Sequence, residues 1–210
     1  MFRRQILTLG EDKHALLKDK SVLVVGCGGL GNAIISNISC IGLRKIYLID
    51  FDEIEHHNLP RQFYFEKKDV GKNKAEVLAK RADRCEESQI IPIIQAFSAK
   101  IDVEVDLVFD ATDNFSARKE IDKFAKKCDI PWIYASVEDF RGQVGVFYKT
   151  GLDIFNISKN AKVGQITPMV SLIGALSAMS GIKTLVEGIK EILYYVEFED
   201  ELEIKKFKLN

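Results

Sequence analysis

The sequence predicts a Rossmann-like, doubly wound α/β fold, with a mostly parallel sheet and antiparallel strands at its C-terminal end. Apolar runs alternate with helical patterns through most of the chain, as expected for parallel strands that are buried on both faces. A glycine cluster directly follows the first apolar run. The last two runs alternate apolar and charged residues, which is typical of a half-exposed antiparallel hairpin.

The predicted elements begin with a short amphipathic helix at 11–20 and a strand at 21–25, followed by a helix at 30–41 and a strand at 45–49. This βαβ unit implies parallel strands. The later elements are a charged helix at 72–86, strands at 90–94 and 105–111, a helix at 115–127, strands at 132–137 and 143–148, a long apolar helix at 169–185 and strands at 192–198 and 203–209. Between them, residues 51–71 form an unusually long loop, and such loops tend to be functional.

Composition bounds the classes of function. Lys plus Arg number 30 and Asp plus Glu number 31, so no overall field would recruit nucleic acid or an anionic membrane. The apolar run at 169–185 is rich in Gly, Ala and Ser, which favours a buried helix over a membrane span. We therefore expect one domain over residues 1–210, with no membrane or nucleic-acid partner. It comprises an N-terminal arm and helix at 1–20, a nucleotide-binding core at 21–137 and C-terminal strands and helix at 138–210.

The four cysteines are scattered and form no C-x-x-C pair. Because the N-terminus also lacks the apolar core of a signal peptide, a reducing, cytoplasmic setting is expected. Cys27 and Cys40 are interpreted as small packing residues. Cys85 and Cys128 have no identifiable base nearby in sequence, so a catalytic thiol is not predicted.

The glycine cluster predicts a nucleotide site. Gly26, Gly28, Gly29 and Gly31 lie between a strand and a helix, where backbone N–H groups approach a phosphate at the positive helix terminus. Asp50 ends the next strand, where a carboxylate accepts hydrogen bonds from ribose hydroxyls. The alternative is that the glycines only let the helix pack close to the strand. The pattern does not specify the nucleotide, so an NAD-dependent oxidoreductase stays open at this point.

Basic and acidic residues after the glycine loop favour a triphosphate. Arg61 and Lys74 can neutralise a triphosphate and its departing pyrophosphate, and Asn58 offers an amide for a phosphate or ribose oxygen. Asp113 follows a predicted strand at the carboxyl edge of the sheet, where an acid could hold Mg²⁺ against the phosphates. A loop salt bridge for Arg61 and a solvated helix-start position for Lys74 are the simpler alternatives.

Several motifs, in order, resemble one family. They are R-R-Q at 3–5, V-x-G-C-G-G-L-G, D-F-D, H-N-L-P-R-Q, D-V-G-K-N-K-A-E and D-A-T-D-N, and the chain that carries them resembles the ThiF/MoeB/HesA family of ubiquitin-activating-like adenylyltransferases. The resemblance implies a homodimer in which Arg4 completes the partner's active site, with Arg61, Lys74 and Asp113 as catalytic residues. It also implies an ATP site formed by Gly26, Gly28, Gly29, Gly31, Asp50, Asp52, His57, Asn58, Leu59, Arg61, Lys74, Asp113 and Asn114, with Mg²⁺ held by Asp113.

The chain departs from the family in two respects. Most well-known members carry two C-x-x-C pairs that bind a structural zinc, and both pairs are missing here, so no zinc site is predicted. The segment 149–165 is also shorter than its family counterpart and contains no cysteine. His56 and His57 are adjacent, but the family motif does not require histidines, and only their backbone is expected to line the pocket.

The resemblance implies adenylation of the C-terminal glycine carboxylate of a small ubiquitin-like sulfur carrier ending in Gly-Gly, in thiamine, molybdopterin or related sulfur transfer. Attack of a carboxylate on a polyphosphate needs charge neutralisation and alignment more than proton transfer. Alternatives are ATP-dependent activation of a tRNA nucleoside or of a peptide carboxyl group, and a module that binds ATP or a carrier without turnover.

Overall fold

A computed structural model describes residues 1–155 and 164–209. The helices are α1 (Arg3–Leu9), α2 (Glu11–Leu17), α3 (Gly29–Ile38), α4 (Lys74–Ala82), α5 (Phe115–Cys128) and α6 (Thr167–Glu187). The strands are β1 (Ser21–Val25), β2 (Lys45–Ile49), β3 (Gln89–Ile93), β4 (Leu107–Asp110), β5 (Trp132–Glu138), β6 (Arg141–Phe147), β7 (Ile192–Glu197) and β8 (Glu203–Lys208). Short 3-10 turns lie at His56–Asn58, Lys67–Asp69 and Leu152–Ile154.

The strands form one eight-stranded sheet in the order β3-β2-β1-β4-β5-β6-β7-β8. The pairs from β3 to β5 are parallel, and those from β5 to β8 are antiparallel. The predicted mixed α/β sheet is therefore confirmed. Strand order changes direction around β1, which lies between β2 and β4, and ligands of open α/β sheets bind at the carboxyl ends of strands at such a point.

Helices cover the parallel strands on both faces. Along β1, Val22 and Val24 belong to the core that contains α3 and α6, whereas Leu23 and Val25 belong to the core that contains α5. Successive side chains of a strand point to opposite faces, so the uninterrupted apolar run Ser21–Val25 is the pattern that burial on both faces requires.

The apolar helix α6 is a core element, as predicted. Its small residues allow close approach: a Cβ added at Gly174 would collide with Ala33 of α3, and one at Gly181 would collide with the ring of Phe109. By length and composition α6 could cross a membrane, yet 61% of its most apolar window is buried inside the protein.

Several predicted boundaries were wrong. The helix predicted at 72–86 spans only Lys74–Ala82. Its start is set by Asn73, whose side chain accepts a hydrogen bond from the Glu76 N–H. The N-terminal arm contains the short helix α1, which ends at Gly10. The strand predicted at 105–111 is limited to Leu107–Asp110, and residues 156–163 of the shortened segment lie outside the part of the chain that the structure describes.

The cysteine interpretation requires a correction. Cys40 and Cys85 form a disulfide with a Cα–Cα distance of 5.6 Å, joining the turn after α3 to the turn after α4. Cys40 is therefore not a simple packing residue, and the interpretation of it as one was wrong. The residues are 45 positions apart, with no motif linking them, so only the folded chain brings them together. Cys27 is a buried free thiol, as expected.

Candidate nucleotide-binding site

A cleft of about 740 Å³ opens at the carboxyl ends of β1, β2 and β4. Its walls include Val25 at the end of β1, Ile49 at the end of β2 and Ala111 just after β4. Most of the site residues predicted from sequence line this one cleft: Gly26, Gly28, Gly29, Asp50, Asp52, His57, Asn58, Arg61, Lys74, Asp113 and Asn114. The structure thus brings together side chains that lie far apart in the sequence.

The four glycines have different positions. Gly26 has a φ of 96°, and a Cβ there would meet the carbonyl of Ala111 at the end of β4. A Cβ on Gly31 would collide with the carbonyl of Gly26, so Gly31 serves close packing and does not line the cleft. Gly28 and Gly29 open into the cleft at the start of α3, where N–H groups are free to meet an anion.

Asp50 is held by backbone donors at the rim of the glycine loop. The Cys27 N–H donates to one carboxylate oxygen at 2.7 Å, and the Asp52 N–H donates to the other at 2.8 Å. Burial raises the pKa of Asp50 above its ordinary value, against these two hydrogen bonds and the positive charge of Lys74. The carboxylate is thereby fixed in orientation, with remaining lone pairs available to ribose hydroxyls.

Lys74 is the first residue of α4 and is buried, with 8% of its surface exposed. Its Nζ donates to Asp52 Oδ2 at 2.9 Å, and its backbone N–H donates to the Asp52 carbonyl. The interpretation of Lys74 as a solvated helix-start lysine therefore fails. Asp52 holds the ammonium at the cleft, which gives Asp52 a role in presenting Lys74.

The segment His57–Arg61 is a compact turn. Arg61 Nη1 donates to the His57 carbonyl at 3.1 Å, which directs the guanidinium along the cleft wall. Asn58 is only 4% exposed, and its Oδ1 accepts the Glu55 N–H at 2.9 Å. The amide of Asn58 therefore shapes the turn. Leu59 packs against the hydrophobic core and is not part of the cleft lining.

A buried ion pair supports the loop that carries Asp113. Asp110 ends β4 with no exposed surface, and its Oδ2 accepts from Arg118 Nε at 3.1 Å. Its Oδ1 accepts from the hydroxyl and N–H of Thr112 at 2.6 and 2.9 Å. Arg118 also donates to the carbonyls of Thr112 and Ala135. Burial raises the pKa of Asp110, against the opposing charge of Arg118 and the Thr112 hydrogen bonds.

Asp113 projects from this supported loop as an exposed carboxylate at the cleft. One carboxylate at the edge of an anion-binding cleft fits Mg²⁺, which is commonly held by one or two carboxylates together with substrate phosphates. The neighbouring Asn114 caps α5, accepting the Ala117 N–H at 2.8 Å, so its side-chain oxygen is already engaged. No group of three or more potential metal-ligating side chains occurs within 1–155 and 164–209.

The cleft continues beyond the predicted nucleotide-binding residues onto the antiparallel strands. Ser136, Gln143 and Tyr195 form a row across β5, β6 and β7 in register, and all three line the cleft. Arg4 lies on α1 and is not among the lining residues of the cleft in its own chain.

Sequence reasoning missed three supporting residues. Arg118 follows the D-A-T-D-N motif, but nothing local pairs it with Asp110. Asn32 is fully buried on α3, where its amide donates to the carbonyls of Cys27 and Gly28 and its oxygen accepts the Tyr64 N–H. Gln62 ends the H-N-L-P-R-Q motif and is buried in the cleft wall. That motif was the available signal for Gln62.

Known proteins resemble this chain over most of its length. The family model described as the ThiF family matches residues 2–208. The molybdopterin-synthase adenylyltransferase of Escherichia coli is 31% identical over 201 residues, covering 88% of this chain and 81% of that protein. The sulfur carrier protein adenylyltransferase of Thermus thermophilus is 27% identical over 231 residues, covering 99% and 85%.

The match to larger relatives is partial. The chain spans only 24% of the SUMO-activating enzyme subunit 2 of Dictyostelium discoideum, which is 31% identical over 156 residues, or 71% of this chain. Among solved structures, E. coli MccB with MccA-N7isoASN superposes with a TM-score of 0.87 at 23% identity, covering 100% of this chain and 72% of MccB. That likeness shows the fold. The family match over nearly all residues goes further, and the chain belongs to the ThiF family.

Proposed function

We propose that this protein is an adenylyltransferase that uses ATP to activate the C-terminal carboxylate of a small ubiquitin-like sulfur-carrier protein. The observation that carries the proposal is the single cleft that joins Gly28, Asp50, Arg61, Lys74 and Asp113. The set comprises a helix N-terminus, a carboxylate that can accept hydrogen bonds from ribose hydroxyls, two cationic side chains and a carboxylate that can bind Mg²⁺. Together these groups match a nucleoside triphosphate. The names of the E. coli and Thermus thermophilus relatives support the same activity.

In the proposed reaction, an oxygen of the carrier's terminal carboxylate attacks the α-phosphorus of ATP. The bond from that phosphorus to the bridging oxygen breaks, and pyrophosphate leaves with the electron pair. No proton is transferred, so no general base is needed. Arg61 and Lys74 would neutralise the charge on the phosphates, and Mg²⁺ held by Asp113 would supply further neutralisation.

The row formed by Ser136, Gln143 and Tyr195 lines a part of the cleft where an acceptor could bind. These side chains extend the cleft from the glycine loop onto the antiparallel strands, beyond the residues assigned to the nucleotide. A flexible carrier tail ending in Gly-Gly has no bulky side chain to exclude and would suit such a groove.

A homodimer is part of the proposal, in which Arg4, exposed on α1 and not among the residues that line its own cleft, completes the cleft of a partner copy. Mixing an Arg4→Ala variant with a Lys74→Ala variant tests this. Each mixed dimer would contain one intact site, so random exchange of subunits should restore about a quarter of wild-type activity. Activity that stays at the level of the separate variants would contradict completion in trans.

The direct test is carrier-dependent exchange of pyrophosphate into ATP. Carriers ending in Gly-Gly should support exchange in the presence of Mg²⁺, and removal of the last glycine should abolish it. Exchange with a peptide and with none of the carriers would identify a different acceptor. We further propose a cytoplasmic setting in molybdopterin, thiamine or related sulfur transfer, and a protein without structural zinc, which metal analysis of the purified protein would check.

A further inference from the structure

Gln62 is a buried polar residue for which the proposed reaction has so far no use. It follows Arg61 and is 3% exposed, yet it forms part of the cleft wall. Its Oε1 is buried and has no hydrogen-bond partner among the described residues. An unpaired buried amide oxygen costs stability, so the fold alone gives no reason for a glutamine at this position.

The other end of this amide faces the glycine loop. Nε2 lies 3.7 Å from the position that a Cβ on Gly28 would occupy, and it is the nearest described heavy atom outside residues 27–29. Whichever way round the planar amide stands, one of its polar atoms faces the loop and the other lacks a partner. The Gln62 amide therefore lies beside Gly28 at the start of α3, at ordinary van der Waals distance from where a Cβ on that glycine would be.

The backbone around Gln62 is firmly held, so the side chain is aimed by the fold. The Gln62 N–H donates to the Asn58 carbonyl at 3.1 Å, and the Phe65 N–H donates to the Gln62 carbonyl at 2.9 Å. Asn32 ties the two sides of the gap together, because it binds the Gly28 carbonyl and the Tyr64 N–H at once. The distance between Gln62 and the glycine loop is thus set by buried hydrogen bonds.

We propose that the Gln62 side chain is an additional phosphate ligand, whose amide N–H donates to a phosphoryl oxygen of the bound nucleoside triphosphate at the start of α3. The inference rests on the proposed function for the identity of the nucleotide. It adds a neutral donor to the two cations, Arg61 and Lys74. A hydrogen bond from a neutral amide to an anionic oxygen is stronger than one between two neutral groups.

Binding of nucleotides without any carrier tests the inference. Gln62→Met keeps the length and approximate volume of the side chain but removes its donor, whereas Gln62→Glu keeps the shape and adds a negative charge. Gln89→Met, on the exposed edge strand β3, is the matched control. The probes are the α,β-methylene analogue of ATP with Mg²⁺, and adenosine, each measured by titration calorimetry.

We expect Gln62→Met to weaken binding of the triphosphate analogue at least about tenfold, Gln62→Glu to weaken it more, and both to leave adenosine binding unchanged. Ligand-free Gln62→Met should melt at or above the wild-type temperature, because an unpaired buried amide is lost. Equal losses for the analogue and adenosine would overturn the proposal, as would a lower ligand-free melting temperature with unchanged affinity.

A wild-type protein that binds no triphosphate analogue would also overturn the inference. By contrast, binding with the expected Gln62 dependence but no pyrophosphate exchange with any carrier would sustain it and refute only the proposed reaction. The two proposals therefore fail in distinguishable ways.

Discussion

The two halves of the sheet differ in how tightly they are enclosed. In the parallel half, every residue of β1 and β4 is buried, and charged groups near the strand ends are held by specific partners, as in Asp110 with Arg118 and Asp52 with Lys74. In the antiparallel half, every residue of β8 is exposed. The parallel half thus builds and supports the candidate cleft, whereas the outermost antiparallel strand β8 leaves its surface exposed.

The largest expected effect is a loss of stability when the buried ion pair of the parallel half is broken. Arg118→Met leaves the Asp110 carboxylate buried without its counter-charge, which should cost about 3–5 kcal/mol of the free energy of unfolding at neutral pH. Urea denaturation at pH 7.5 measures this cost. Lys123→Met, an exposed lysine on the same helix, is the control and should change little. Equal stability of both variants would mean that the ion pair does not secure the parallel half.

The same variant has a defined pH dependence. Burial raises the folded-state pKa of Asp110 above its ordinary value of 3.8, and loss of Arg118 raises it further. The folded variant then binds a proton that the unfolded chain has released, so its stability falls as pH rises from about 3.8 through the folded pKa. The deficit relative to wild type should be smaller at pH 4.5 than at pH 7.5. An equal deficit at both values would exclude ionisation of Asp110 as the cause.

The next largest effect is expected on the rate of the proposed reaction at the cleft. Lys74→Ala or Arg61→Ala should reduce carrier-dependent pyrophosphate exchange by about 10²–10³, or roughly 2.7–4 kcal/mol of barrier, while the fold stays intact. Lys72→Ala, which removes a more exposed lysine paired with Asp69, should retain activity. Near-wild-type exchange by the Lys74 or Arg61 variant would remove the phosphate role from that residue.

The Cys40–Cys85 disulfide lies at the outer edge of the parallel half. It joins residues 45 positions apart and encloses Asp50, Arg61 and Lys74 within its loop. In the chain-entropy view, losing such a link costs at most about 4 kcal/mol, with 2–4 kcal/mol typical. Cys40→Ser should lower the unfolding free energy accordingly, and a reducing agent should bring wild type to the same value. Cys128→Ser, at an exposed free cysteine, is the control and should have no effect.

The smallest effect on stability is expected for substitutions on the exposed strand β8. Ile204 and Phe207 are 55% and 49% exposed on β8, so replacing either by serine should change stability by no more than about 0.5 kcal/mol and leave triphosphate binding unchanged. Thermal melting and calorimetry would measure both. A large loss of stability would show that another surface covers β8 in solution, which would break the contrast between the two halves.

Much of the architecture could be predicted because its signals are local. The apolar runs gave β1, β2 and the final hairpin within a residue or two, and the glycine loop was placed correctly between β1 and α3. The ends of α4 were less predictable, since the cap at Asn73 starts the helix two residues after the predicted start at 72. The site residues gathered in the cleft came from motifs, whereas their neighbours Asn32 and Arg118 carried no local pattern.

The class of fold, the position of the candidate cleft at the carboxyl ends of the parallel strands, and the family could be predicted from the sequence alone. These follow from periodicity, glycine placement and motif order, all of which act over short stretches of chain. Only the tertiary structure decided that Cys40 pairs with Cys85, that Arg118 neutralises Asp110, and that Gln62 faces Gly28. The physical reason is that burial and pairing depend on which distant segments share a volume, and packing of the whole chain sets those distances.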